Sequence, residues 1–126
     1  MKTFILALLL VSTPTFADEW SRADIYRETT YLAIDAIDLA QTHSLARQQY
    51  DARYTKGYQY IERNPILGEH PSVDRVDAYF ALTALAHVGI THLLPAKWRA
   101  PWQYVTISFE GALVAHNYSI GMSARF

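Results

Sequence analysis

Asp24, Glu28, Tyr31, Asp35, Asp38 and Thr42 recur at steps of four and three residues, the spacing that stacks side chains on one face of an α-helix. Four of the six are carboxylates, and such a row repels itself unless water or a cation intervenes. A charged helix face most often turns to solvent, so a water-facing stripe is the expectation. Two more polar rows sit in otherwise apolar stretches: Thr83, His87 and Thr91 lie a turn apart, and Thr106, Glu110 and Asn117 share a face further on. If these rows meet Asp35 and Asp38, carboxylates and an imidazole converge in a low dielectric. Such a cluster can bind a hard or borderline divalent cation, relay protons, or act as acid and base. His92 and His116 fall on other faces of their helices and are not recruited. The sequence has no HExxH, GxSxG, phosphate-loop or EF-hand pattern, so each of those enzyme and metal classes lacks its signature.

The elements that must position these rows are helices. Ser21 followed by Asp24 is a variant of the capping box, and the apolar-rich run from there to about Arg47 contains neither glycine nor proline, which predicts a first helix. Tyr50 to Ile61 is tyrosine-rich and polar around Gly57, and reads as a loop or a short extra turn. Asn64-Pro65 pairs a capping side chain with a residue suited to a first helical position, so Pro65 to Gly68 is expected to form one turn. Ser72 caps a second helix that ends at Leu94, before Pro95. The connector Pro95 to Trp102 is short, so a third helix starting near Gln103 should return antiparallel as a hairpin. Val105, Thr106, Ile107 and Phe109 leave strand as the alternative for that last segment.

The totals narrow the setting. The 126 residues suffice for one domain. A net charge of −1 and a pI near 6.5 supply no basic face for nucleic acid. Without cysteine there can be no disulfide, thiolate metal site, cysteine nucleophile or lipid-bearing cysteine. Lys2, the apolar run Phe4 to Val11, and the small and polar residues up to Ala17 have the layout of a secretory signal peptide. Residues 1–17 are therefore expected to be removed, leaving an envelope domain from Asp18 to Phe126. The eight-residue apolar run is far short of the roughly 20 residues that span a bilayer as a helix.

Membrane association is a sharper question for the second and third helices. From Ala78 to Leu94 only His87 and His92 could carry charge near neutral pH, and from Gln103 to Met122 only Glu110 and His116; both stretches are close to the minimum spanning length. Lys97 and Arg99 beside Trp98 and Trp102 look like a hairpin tip at cytoplasmic headgroups. In that arrangement the first helix rests on the outer surface. If it spans as well, Arg47, Arg53, Lys56 and Arg63 fall inside and Lys97 and Arg99 outside, although its carboxylates make insertion costly. The plain alternative is a helical bundle in the periplasm. The alternation of Tyr118, Ile120, Met122, Ala124 and Phe126 suits a closing barrel strand, but the helical first half leaves too few partner strands.

Asp38-x-x-Gln41-Thr42, then Glu62-x-Asn64-Pro65-Ile66-Leu67-Gly68-x-x-Pro71-Ser72, then His116-Asn117-Tyr118-Ser119-Ile120-Gly121 resemble a family of small exported or membrane helical proteins of bacteria and their phages that has no assigned activity. The likeness spans nearly the whole chain after the leader. It implies a helical envelope protein and marks Asp38, Gln41, Glu62, Asn64 and Asn117 as motif positions, with no catalytic role attached. The sequence therefore leads to an all-α bundle of about three main helices with a helical hairpin, either partly embedded in the inner membrane or periplasmic. Its expected partners are the membrane, another protein or a second copy, and its role is structural or interactive. The rival is a metal- or proton-dependent enzyme built on Asp35, Asp38, Gln41, Glu62, Asn64, His87, Glu110 and Asn117.

Overall fold

The computed structural model describes residues 18–55, 64–68 and 70–122. Three helices carry these residues: α1 (Arg22–Thr55), α2 (Val73–Leu93) and α3 (Ala96–Ser119). No strand occurs among the described residues. The segment 105–109 that could have been a strand is helical, because burial of the row through Gln103, Thr106 and Glu110 outweighs the local preference of β-branched residues.

The capping box forms as expected: the Asp24 amide donates to Ser21 Oγ at 3.0 Å and the Ser21 amide donates to Asp24 Oδ2 at 2.9 Å. Ser72 caps α2 by accepting from the Arg75 amide at 3.2 Å. Between α1 and α2, Asn64 holds one tight turn, its side chain accepting from the Ile66 amide and its carbonyl from the Gly68 amide, each at 3.0 Å. Gly68 closes the turn at φ 81°, a conformation that glycine adopts without a Cβ penalty.

Two boundaries differ from the sequence reading. α1 runs on to Thr55, so the start of the tyrosine-rich stretch is helical; the rest of that stretch, including Gly57 and Glu62, lies outside the described residues. α3 begins at Ala96 rather than near Gln103, and Pro101 sits inside it. The supposed connector is thus mostly helix. Pro101 is the sixth residue of α3, so it forgoes the bond to the Lys97 carbonyl that an amide there would make, and tertiary contacts of the opening turns offset that loss. The turn is pinned besides by the Trp98 amide on the Pro95 carbonyl at 2.9 Å and by the buried Arg99.

α1 is the central element, packing along both α2 and α3, while those two touch each other little. Its N-terminal end meets the end of α2 and the start of α3 through Trp20 to His92 and Arg99 to the Glu19 carbonyl. Its C-terminal half meets the start of α2 in a small apolar cluster of Ala46, Leu67, Val76 and Phe80. α1 is therefore antiparallel to α2 and parallel to α3. Tyr31, Ala40, Leu45 and Met122 are buried as well, but much of the remaining interior is polar. Asp24, Glu28, Asp35, Asp38, Gln41, Thr42, His87, Arg99, Gln103 and Glu110 are all buried, while Leu82, Leu93, Val105 and Phe109 are more than half exposed. The carboxylate stripe of α1 thus turns inward, which corrects the expectation that it faces water.

Candidate functional site

The inward stripe meets the polar rows of α2 and α3 at two levels. At the first, every acid is answered. Glu28 accepts from His87 Nδ1 at 2.7 Å on one oxygen, and from Gln103 Nε2 at 2.9 Å and Thr91 Oγ1 at 3.1 Å on the other. The His87 ring is sandwiched between Tyr31, with ring centres 3.5 Å apart, and Trp102, at 5.0 Å. Its Nε2 lies 2.8 Å from Thr106 Oγ1. Asp24 pairs with Arg27 and lies 3.6 Å from Arg99, and Arg27 Nε donates to Gln103 Oε1 at 2.8 Å. Burial alone would raise both carboxyls. For Asp24 the Ser21 amide and hydroxyl, then Arg27 and Arg99, outweigh it; for Glu28 the bonds from His87 and Gln103 do. Both end below their ordinary values.

At the second level acids meet acids. Asp38 and Glu110 are within hydrogen-bonding reach of each other. Asn117 Nδ2 donates to Asp38 Oδ1 at 3.1 Å and to Gln41 Oε1 at 2.9 Å, and Gln41 Nε2 reaches the Val114 carbonyl at 3.3 Å. Burial raises Asp35 to about 6, with the Asp38 charge adding to it. Burial, then Asp38 as hydrogen-bond partner and charge, raises Glu110 to about 8. Asp38 is raised too, chiefly by burial. The two resist ionising together: Glu110 is the member that keeps its proton more tightly, and its hydrogen bond favours the Asp38 carboxylate.

This second level opens on a cavity of about 1560 Å³ whose wall includes Tyr31, Asp35, Asp38, Tyr79, Glu110 and Asn117. Among the described residues, no group of three or more His, Asp or Glu side chains is arranged to hold a metal ion.

Of the residues singled out from the sequence, Asp38, Gln41, Glu110 and Asn117 come together, with Asp35 on the same cavity wall. Asn64 also lines the cavity and bonds to Tyr79. His87 belongs to the first level with Glu28 rather than to Asp35 and Asp38. Glu62 lies outside the described residues. The sequence reading missed Arg99 and Gln103, both fully buried. Arg99 does not meet headgroups: it donates to the Thr91 carbonyl at 3.1 Å and the Glu19 carbonyl at 2.9 Å. The signal was present in the spacing, since Arg99, Gln103, Thr106, Glu110 and Asn117 continue one row at steps of three, four and seven.

Compared with known protein families, curated proteins and solved structures, the chain shows no significant match to any of them.

Proposed function

We propose that this chain is a small exported protein of the bacterial envelope, seated at the inner membrane with lipid against its apolar exterior and acting as a structural or interaction component. One observation carries the reading: along the middle of the bundle, between the exposed charges near the helix ends, burial is inverted. Acidic side chains of α1 point inward, whereas its exposed positions between Glu28 and Arg47 are Thr29, Thr30, Ala33, Ala36 and Ile37, none of them charged. α2 exposes Leu82, Leu85, Ile90 and Leu93, and α3 exposes Val105, Phe109 and Leu113. Apolar surface of this extent favours contact with a partner or lipid, since each Å² left in water forgoes roughly 25 cal/mol. No helix among the described residues is long and apolar enough to cross a membrane. In α1 the inward carboxylates interrupt what would otherwise be an apolar stretch. Fractionation tests the proposal: the mature protein, after export and removal of its leader, should stay in the membrane pellet after carbonate extraction, and release into the wash would overturn it.

A second reading, a proton-dependent enzyme working through the interior carboxyls, is favoured by the Asp38 and Glu110 pair, whose resistance to ionising together suits acid and base work. It is tested by asking whether Glu110→Gln abolishes an activity found by substrate screening. The metal-dependent form would require divalent-ion uptake in calorimetry.

A further inference from the structure

The two polar levels answer buried charge in opposite ways. Around Glu28 and Asp24 the fold supplies an imidazole, two guanidiniums, a side-chain amide, a hydroxyl and a backbone amide. Around the cavity, three carboxyls from two helices stand with no lysine or arginine among the described lining residues. Asp35 is only 6 % exposed, lines the cavity, and receives no hydrogen bond from any described residue. Its oxygens are open to the cavity rather than sealed, so whatever fills the cavity must answer them, whereas the same bundle satisfies Glu28 with three protein donors two turns away.

The walls indicate what could answer it. Tyr31 and Tyr79 bring aromatic rings beside the carboxyls, and Phe80, Phe109 and Leu113 make the surround apolar. Aromatic faces attract cations, and apolar walls favour a ligand with an organic body over a bare ion. A volume of about 1560 Å³ exceeds the need of a single ion many times over, and no described trio of ligands is arranged for a metal.

We propose that this cavity binds an organic cation, a protonated amine or alkylated ammonium on an apolar or aromatic body, with Asp35 as its counter-ion. The inference concerns the interior alone and holds whether or not the exterior meets lipid. A cation beside Asp35 favours the ionised carboxyl, so binding releases a proton when the free protein holds one there. With Asp35 at about 6, affinity should drop about tenfold from pH 7 to pH 5. The titratable groups around it are Tyr31 and Asp38 on α1, Tyr79 and His87 on α2, and Glu110 and His116 on α3.

The test is calorimetric titration of the full chain in a mild nonionic detergent with benzylammonium chloride, set against benzyl alcohol as its neutral counterpart. Benzylammonium should bind one site at pH 7, at least tenfold more tightly than the alcohol. Asp35→Asn should weaken the cation at least tenfold and leave the alcohol unchanged. If that variant does not fold, the pH dependence of the unaltered protein decides. The proposal is overturned if the alcohol binds as well as the cation, if affinity is flat from pH 5 to pH 7, if Asp35→Asn binds equally, or if benzylammonium does not bind at millimolar concentration.

Discussion

Glu28 and Glu110 are buried in the same bundle and titrate in opposite directions, because three donors reach the first while a second carboxyl faces the other. Glu110 holds its proton in the native state up to about 8 against an ordinary value of 4.5. Between those values the folded protein binds more protons than the unfolded chain, so its contribution to stability declines as pH rises through the window. Glu110→Gln keeps the shape of the protonated acid. It should therefore raise the unfolding free energy at pH 8.5, measured by denaturant titration, by on the order of 2 kcal/mol and change little at pH 5; an equal shift at both pH values would contradict this. Glu28 behaves in reverse: its carboxyl is held low, so its stabilisation is present above the ordinary value and fades as pH falls through the native one. Glu28→Ala strands His87, Thr91 and Gln103, and urea unfolding at pH 7 should show a loss of about 3–5 kcal/mol.

At the scale of the element, the ends were legible where side chains cap them. Ser21 with Asp24 and Ser72 are start signals that act within one turn, so no distant contact is needed to read them. Ser72→Ala should cost α2 about 1 kcal/mol, seen as a lowered melting temperature with unchanged helix content. The start of α3 was not legible. Two prolines and two tryptophans around Lys97 and Arg99 read locally as a connector, yet distant residues hold this turn: the Ala96 amide donates to Asp18 Oδ2 at 2.9 Å, and the Arg99 guanidinium donates to the Thr91 carbonyl at the end of α2 and to the carbonyls of Asp18 and Glu19. Such a clamp joins residues about 80 positions apart, beyond any local signal.

Among the described residues, the whole molecule buries six charged side chains, Asp24, Glu28, Asp35, Asp38, Arg99 and Glu110, keeps its exposed charges near the helix ends, and leaves large apolar residues outside along the middle of the bundle. If lipid covers that exterior, a charge placed on it should free the protein from the membrane without unfolding it. Leu82→Asp combined with Val105→Asp alters two side chains that are each 67 % exposed. The pair should move the protein into the carbonate wash while far-ultraviolet circular dichroism stays helical; loss of helicity would show instead that these positions support the fold. The expectation that no basic face serves nucleic acid, which rests on charge, belongs to this scale as well. Net charge is a sum over the chain and requires no structure to evaluate.

Periodicity and capping by themselves determined that Asp24 through Thr42 share one face of a helix, that two shorter polar rows follow, and that the chain is helical. These are relations among residues a few positions apart, set by the geometry of a single helix. Which way the acidic face points was decided only when three helices assembled, because a spacing of three and four is the same whether water or another helix lies opposite. Tertiary packing likewise gave His87 to Glu28 and paired Glu110 with Asp38. The rows of α2 and α3 are offset along α1, and that offset depends on contacts between residues some 60 to 80 positions apart.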